Sequence, residues 1–227
     1  MYEEFFDSDP QAIMIDYCLN HLSELGQIKK YNKNEVVDMD CKLYIGIVVK
    51  GTVAQSVISS NGQEKILYLI RSGEMLGEMI YFCGGADSIV STAMDYVEIS
   101  IVRQEVIEEE LRLKPQIYKY FMHSMTRKFR IVMLQLTSKI FNDSRGEIAD
   151  ALLRLSSTSE LKGMEVNKLN RIFTHAELAN IIGCSRVTVT RCLNDFLKAE
   201  VISYSDKKII INKPEVLKTY IDLVVDK

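Results

Sequence analysis

Near its C-terminus the chain carries a group of side chains whose types and spacing suit the recognition of DNA bases. They fall on one face of a predicted helix and are Arg186, Val187, Thr190 and Arg191. A guanidinium group can donate two hydrogen bonds to guanine O6 and N7 in the major groove, and an apolar group can contact the thymine methyl. The group therefore indicates sequence-specific DNA binding.

Two predicted helices joined by a glycine turn position these side chains. Thr174 and Glu177 have the spacing of a capping box, in which each side chain satisfies an unpaired backbone amide at a helix start. Gly183 can adopt the positive φ that ends this helix, and Ser185 can cap a second helix that extends to Lys198. Apolar residues at helical intervals give the second helix a core face: Val189, Leu193, Phe196 and Leu197.

Two short strands are predicted next, over 201–204 and 208–211, with a polar turn between them. They add a β-hairpin wing to the helix-turn-helix. Arginines alone could be ordinary surface charges, but the cap, the turn and the wing supply the context of a DNA-binding motif. The candidate DNA contacts are Ser185, Arg186, Val187, Thr188, Thr190, Arg191, Lys207, Lys208 and Thr174. Further candidates for phosphate contacts, which position a protein without reading sequence, are Lys168, Arg171, Lys198 and Lys213.

The segment IIGCSRVTVTRCL closely resembles the winged helix-turn-helix of the CRP/FNR family of bacterial transcription regulators. The resemblance implies that Arg191 contacts guanine and that Arg186 contacts DNA. Val187 departs from the family, since most well-understood members carry a glutamate there, which accepts a hydrogen bond from a cytosine or adenine amine. Valine offers only methyl contact, so we expect an A·T-rich half-site with a thymine at that step.

The first 112 residues are predicted to form a small β-barrel or jelly roll, so the fold class is α+β. Runs typical of strands are 42–50, 53–58, 66–70 and a last pair within STAMDYVEISIV. Asn61 and Gly62 form a strong hairpin signal, and Gly73 and Gly77 bound the next strand. The segment GEMLGEMIYF is similar to the barrel motif of the same family, whose sensor domain is of the cyclic-nucleotide-binding type.

A long helix is predicted over 113–142, opened by Pro115. Apolar residues recur along it at nearly heptad spacing: Tyr118, Met122, Met125, Phe129, Val132, Leu136 and Ile140. Such a repeat favours packing along a partner helix, and in the family the corresponding helix forms a two-fold dimer. The alternative is a helix that packs only on its own barrel.

The long helix is expected to break at Asn142 or Asp143, because Ser144 and Glu147 have the spacing of another capping box. The break, at 142–145, is the expected hinge. A DNA-binding domain of winged helix-turn-helix type then spans 143–227.

Charge is distributed unevenly along the chain. Residues 1–110 hold 8 basic and 19 acidic side chains, residues 111–162 hold 10 and 4, and residues 163–227 hold 10 and 8. The overall charge of −3 therefore does not argue against DNA, because an acidic barrel can face away while the C-terminal half meets phosphates.

The resemblance also implies an effector site between the barrel and the long helix. Cyclic-nucleotide-binding members carry Gly-Glu for the ribose and, later, Arg-Ser for the phosphate. The first pair is preserved at 77–78, but Asp87 and Ser88 stand at the second, and a carboxylate repels a phosphate where a cation is wanted. Val132 and Met133 replace two hydroxyl residues that meet the purine. We therefore expect an effector other than cyclic AMP.

The same cleft can still hold a small molecule, since such pockets are mostly apolar with a few polar anchors. The candidate effector-binding residues are Glu78, Tyr68, Ser91, Thr92, Met125 and Val132. The segments EKILYLI, STAM and RVTVTR are similar to regulators that respond to halogenated aromatics, which suggests an aromatic or organic-acid effector.

No cofactor or metal site is predicted, since the five cysteines are scattered without CxxC pairs or histidines at metal spacing. Two alternatives stay open: a redox switch through Cys18 or Cys41, and a regulator that needs no effector. The three histidines lie outside the predicted barrel strands, so a metalloenzyme on this barrel is not expected.

No apolar run reaches the roughly 20 residues of a membrane-spanning helix, and we expect a cytoplasmic protein. Its expected partners are double-stranded DNA, a second copy of the chain and, for an activator, RNA polymerase.

Overall fold

The computed structural model describes residues 8–85, 88–157 and 168–222. The chain divides into two compact units, residues 9–131 and residues 132–227, and the helix over 118–141 runs through the division. Among the described residues, no helix combines the length and the apolar character needed to span a bilayer. The predicted boundaries at residues 112 and 142 stay predictions.

The first unit is built from strands with helices packed around them. Its strands are β1 Gln27–Tyr31, β2 Tyr44–Lys50, β3 Thr52–Ile58, β4 Glu64–Arg71, β5 Met75–Leu76, β6 Val90–Ala93 and β7 Val97–Arg103. Its helices are α1 Ser8–Asn20, α2 Glu78–Cys83, α3 Gln104–Leu113 and the first part of α4 Tyr118–Phe141. Single turns of 3₁₀-helix lie at Leu22–Leu25 and Pro115–Ile117.

The strands form two antiparallel sheets, in the orders β1-β7-β2-β5 and β4-β3-β6. The β2 strand is buried on both faces, which explains why its apolar residues run without alternation. Ile45 and Ile47 pack with the helices, whereas Val48 belongs to the cluster inside the barrel. The predicted barrel of an α+β fold is confirmed, while α1, α2 and α3 were not predicted. Gly77, with φ 96°, turns the chain out of β5 into α2.

The second unit contains the end of α4 and the winged helix-turn-helix. Its further elements are α5 Ser144–Ser157, α6 His175–Ile182, α7 Arg186–Lys198, β8 Ile202–Ser205, β9 Lys208–Ile211 and α8 Pro214–Lys218. The β8 strand begins one residue later than predicted. The cause is local, since the Val201 amide donates to the Phe196 carbonyl and Glu200 has φ 55°.

The long helix ends at Phe141, as predicted, but its neighbour α5 is capped differently from the prediction. The Asp143 carboxylate, and not the Ser144 hydroxyl, accepts the first amides of α5, from Arg145 at 3.0 Å and Gly146 at 2.8 Å. Glu147 does not reach back to close a capping box. Its carboxylate instead binds Nζ of Lys139 at 2.9 and 3.0 Å.

Replacing Asp143 with alanine should lower the free energy of unfolding by about 1 kcal/mol, because two helix-start amides lose their acceptor. Ser144→Ala is the matched control and should change it by less than about 0.5 kcal/mol. Urea denaturation followed by far-UV circular dichroism measures both. Equal losses in the two variants would contradict this cap.

Candidate DNA interface and effector site

The predicted capping box at the start of α6 is confirmed. The Glu177 amide donates to Thr174 Oγ1 at 3.1 Å, and the Thr174 amide donates to the Glu177 carboxylate at 2.7 Å. The helix ends at Gly183, whose φ of 84° is in the left-handed region that favours glycine. These contacts set the turn between α6 and α7.

The α7 helix begins with the predicted cap and is held by an aromatic contact. Ser185 Oγ accepts from the Thr188 amide at 3.0 Å and lies 2.8 Å from Thr188 Oγ1. At the other end, the Phe196 ring lies 5.7 Å from the Tyr220 ring, with the Arg145 guanidinium over both. The buried face consists of Val189, Cys192, Leu193 and Phe196. Leu197, predicted to be core, is half-buried.

The opposite face of α7 forms a shallow surface concavity. It is lined by Arg186, Val187, Thr190, Arg191, Asn194, Asp195 and Lys198. Val187 is 77% exposed, more than any other large apolar residue among those described. Neither Arg186 nor Arg191 makes an ion pair within the described ranges, so both guanidinium groups can meet a ligand.

Two features of this face were not predicted. The Thr190 hydroxyl donates to the Arg186 carbonyl at 2.9 Å and lies 2.8 Å from Nδ1 of His175, so it joins α6 to α7. Asn194 is exposed and lies one helical turn beyond Arg191, and its amide could pair with adenine N6 and N7. Because Asn194 follows Arg191 by three residues, the sequence alone could have placed it on this face of the helix.

The wing places two lysines at a tight turn. Asp206 and Lys207 have φ values of 51° and 63°, as in the turns favoured by β-hairpins, and Lys208 follows at the start of β9. Arg171 was predicted to contact phosphate, but the structure gives it a partner within the protein. Its guanidinium lies 3.4 Å from the Glu177 carboxylate and is largely buried, so it supports the α6 cap.

Other phosphate candidates differ in their surroundings. Lys213 lies 3.8 Å from the Glu200 carboxylate and 3.3 Å from the Ala199 carbonyl, whereas Lys198 is exposed. Lys168 forms an isolated β-bridge with Ile210.

In the first unit, the structure brings Glu78 and Tyr68 together through one lysine. Glu78 is 2% exposed and accepts a hydrogen bond from Ser124 Oγ at 2.8 Å. Lys128 forms an ion pair with Glu78, donates to the Met75 carbonyl at 2.7 Å, and lies 5.5 Å from the Tyr68 ring centre. The carboxylate predicted to take a ligand therefore already has partners.

Among the described residues, no hydrogen bond or ion pair joins the other effector candidates to Glu78. Ser91 and Thr92 lie on β6, paired with β3, and Ser91 Oγ accepts a hydrogen bond from Gln55 Nε2 at 3.1 Å. Met125 is half-buried on α4, and Val132 is half-buried in the other unit. Asp87 lies outside the described residues.

A second buried carboxylate, Glu74, also binds α4. It accepts from Gln11 Nε2 at 2.8 Å, from Arg127 Nη1 at 3.3 Å and from the Arg71 amide at 2.8 Å. Burial, with the charges of the two carboxylates, raises the pKa of the nearby Cys18 thiol to about 12. Cys18 therefore stays protonated near neutral pH, which disfavours it as a redox switch.

Metal ligation has no candidate among the residues that the structure describes, where no group of three or more His, Cys, Asp or Glu side chains could hold an ion.

Comparison with known proteins gives a consistent result. Residues 147–220 match the Crp-like helix-turn-helix domain, and residues 28–113 match the cyclic nucleotide-binding domain. The CRP-like cAMP-activated global transcriptional regulator of Mycobacterium tuberculosis is 25% identical over 174 residues, covering 77% of each chain. The cAMP-activated global transcriptional regulator CRP of Salmonella typhimurium is 27% identical over 169 residues, covering 72% of this chain and 78% of the relative.

Similar solved structures include FixK2 from Bradyrhizobium japonicum, with a TM-score of 0.75 at 14% identity, covering 88% of this chain and 99% of FixK2. At this low sequence identity, the similarity to FixK2 establishes a shared fold and nothing about function.

Replacing Glu78 with methionine should lower the free energy of unfolding by about 3 kcal/mol, because Lys128 would be left without its carboxylate in a buried place. The double variant Glu78→Met/Lys128→Met should recover most of that loss. Glu109→Met, which breaks an exposed pair with Arg112, is the control and should cost under about 1 kcal/mol. Chemical denaturation measures all three, and a Glu78→Met protein as stable as the unmodified one would contradict the buried pair.

Proposed function

We propose, on the premise that this chain belongs to the CRP/FNR family of bacterial transcription regulators, that it binds an inverted repeat of DNA as a homodimer. Its relatives are transcription regulators and not enzymes. The observation that carries the proposal is the outward face of α7, where two arginines without an ion pair among the described residues and an exposed valine lie on a helix that is capped at its start and packed through Phe196.

Each exposed side chain of that face suits one contact in a major groove. Arg191 donates two hydrogen bonds to a guanine, and Arg186 contacts the base or backbone beside it. Val187 contacts a thymine methyl, which favours A·T-rich half-sites. Ser185, Thr188 and Thr174 lie at helix starts, where their hydroxyl groups can meet phosphates, and Thr190 holds α7 against His175.

The wing lysines Lys207 and Lys208 complete the phosphate contacts of each half-site. They stand at the β8–β9 turn, where their charges can track the DNA backbone without reading sequence.

The homodimer is supported by an exposed apolar stripe along α4. The stripe consists of Tyr118, Met122, Phe129, Leu136 and Ile140, each at least 50% exposed. These are members of the predicted heptad repeat, so a helix packed only on its own barrel would leave them in water. A second copy of α4 would cover them as in a coiled coil and set two recognition helices roughly 34–36 Å apart.

The effector is proposed to be a small molecule other than cyclic AMP, held between the barrel and α4. The relatives above are cAMP-activated by name. In this chain the Glu78 carboxylate is taken by Lys128 and Ser124, and Val132 and Met133 offer no hydroxyl to a purine. A ligand would act by shifting the population of the DNA-competent arrangement through the helix break at 142–145. An aromatic or organic acid remains our hypothesis for its chemistry.

An effector-independent regulator is the second candidate, favoured by one observation. Lys128 already occupies the carboxylate that a ligand would meet, so the contact between α2 and α4 exists without a ligand. A redox switch is supported less well, because Cys18 is buried and protonated, which leaves the half-buried Cys41. RNA polymerase would be a further partner if the protein activates transcription.

Selection from a random duplex library by the purified, reduced protein without added ligand tests the proposal. We expect enrichment of one inverted repeat, on which Arg191→Ala binds more weakly by about 1–3 kcal/mol. Arg112→Ala, an exposed arginine of α3, is the matched control and should bind as the unmodified protein does. Salt concentration is held constant, because phosphate contacts weaken steeply as it rises.

Equal weakening by Arg191→Ala on all sequences would make this residue a phosphate contact and contradict its role in reading guanine. Enrichment only after addition of a ligand would contradict the effector-independent candidate.

Val187→Glu should shift the preferred base at one step of each half-site from thymine to a base that presents an amine, cytosine or adenine. Val187→Ala is the control, since alanine still contacts a thymine methyl and should keep the original preference. Repeating the selection with both variants measures the change. An unchanged site in Val187→Glu would show that this residue does not face the bases.

A further inference from the structure

A cleft of about 230 Å³ lies against the barrel, on the side where β1, β7 and β2 meet the segment before β2. Its lining includes Gly26, Lys29, Met39, Tyr44, Ile101 and Arg103. Ile101 belongs to the cluster inside the barrel, and Met39 and Tyr44 pack against that cluster. The cleft shares no residue with the effector candidates or with the outward face of α7.

Strand register explains why two cations face this cleft. Arg103 pairs with Tyr44, and Ile101 pairs with Gln27, two residues before Lys29. Side chains of paired residues, and of residues two apart on one strand, lie on the same face of the sheet. The side chains that share this face are therefore those of Arg103, Tyr44, Ile101, Gln27 and Lys29. Lys29 lies opposite Ile99, two residues before Ile101, and Arg103 lies two residues after it, so the two cations flank Ile101 along the strand direction.

The charges of this cleft are not balanced by the protein. Within the described part of the chain, Lys29 and Arg103 make no ion pair. Asp40 also lines the cleft, but one of its carboxylate oxygens accepts the Lys42 amide at 2.9 Å and closes a turn. Two cations thus oppose one carboxylate that already has a backbone partner.

The remaining lining of the cleft combines apolar and polar side chains, as small-molecule sites do. Leu25, Met39, Ile101 and Val106 supply apolar walls. Among the described residues, the Tyr44 hydroxyl and the Gln27 side-chain amide have no hydrogen-bond partner, so both can donate to a ligand. A few convergent polar groups on an apolar cleft are typical of a ligand site.

We propose that this cleft binds a small organic anion, a carboxylate or phosphate monoester with an apolar body. The anionic group lies between the Arg103 guanidinium and the Lys29 ammonium, where the guanidinium can donate two parallel hydrogen bonds. Tyr44 donates a third, and the apolar body lies against Ile101 and Val106. The proposal does not depend on DNA binding.

Calorimetric titration of the full chain with phenyl phosphate and with benzoate tests the site. We expect both to bind, benzyl alcohol to bind at least tenfold more weakly because it has no charge, and inorganic phosphate to bind more weakly because it lacks an apolar body. Arg103→Gln and Lys29→Gln should each weaken benzoate and phenyl phosphate at least tenfold. Arg103 precedes α3 without a side-chain cap bond, so its loss does not remove a cap.

Lys30→Gln is the matched control. Lys30 is the next residue of β1, pairs with Glu98 and points to the opposite face of the strand, so its loss changes the net charge equally. The Lys30→Gln variant should bind benzoate and phenyl phosphate as tightly as the unmodified protein does. Equal weakening in Lys30→Gln and Arg103→Gln would mean general electrostatic attraction and would overturn the proposal.

A second measurement uses the unmodified protein and needs no variant to fold. Methyl resonances of Leu25, Ile101 and Val106 should shift when benzoate is added, while those of the α7 face should not. Unmoved resonances at these three residues would overturn the proposal. The proposal would also be overturned if an acidic decapeptide bound while benzoate and phenyl phosphate did not, because the cleft would then be a protein-docking surface.

Discussion

The position of α4 on the barrel depends on two buried carboxylates. Glu74 and Glu78 stand on either side of β5, and each binds a cation of α4, Arg127 and Lys128 respectively. Removing either partner would leave a charge without compensation in a buried place, so the pairs specify which face of α4 meets the barrel. Within this unit they leave the stripe residues Tyr118, Met122 and Phe129 exposed, where a second copy can reach them.

The DNA-binding end of the chain is organised by local contacts instead. The capping box, the left-handed Gly183 and the Ser185 cap lie within a short stretch of sequence, and each satisfies a backbone group next to it. The Phe196 ring, packed with Tyr220 and Arg145, then fixes the buried face of α7. A helix held at both ends loses little backbone conformational freedom on binding, so the remaining entropic cost is that of the arginine side chains.

This difference explains how much could be predicted from the sequence. The α6 cap, the turn and the end of α4 depend on neighbouring residues, and the structure confirms them. The distant ion pair of Glu78 with Lys128, fifty positions away, was missed, because nothing near Glu78 in the sequence indicates it. Two nearer contacts were misassigned because several polar residues compete for the same partner: Asp143 replaces Ser144 at the start of α5, and Arg171 pairs with Glu177. Hydrophobic spacing identified the stripe on α4, but it carries no information on the ion pairs that Arg127 and Lys128 make beside the buried Phe121.

We propose that Arg191 reads a guanine in each half-site. The most direct test measures binding of the unmodified protein and of Arg191→Ala to one duplex site in which 7-deazaguanine, which lacks the N7 acceptor, replaces that guanine. We predict that the base analogue weakens binding by the unmodified protein about fivefold, as expected for the loss of one of two hydrogen bonds, and leaves binding by Arg191→Ala unaffected. Equal weakening of both proteins would contradict it, because the lost acceptor would then belong to another residue.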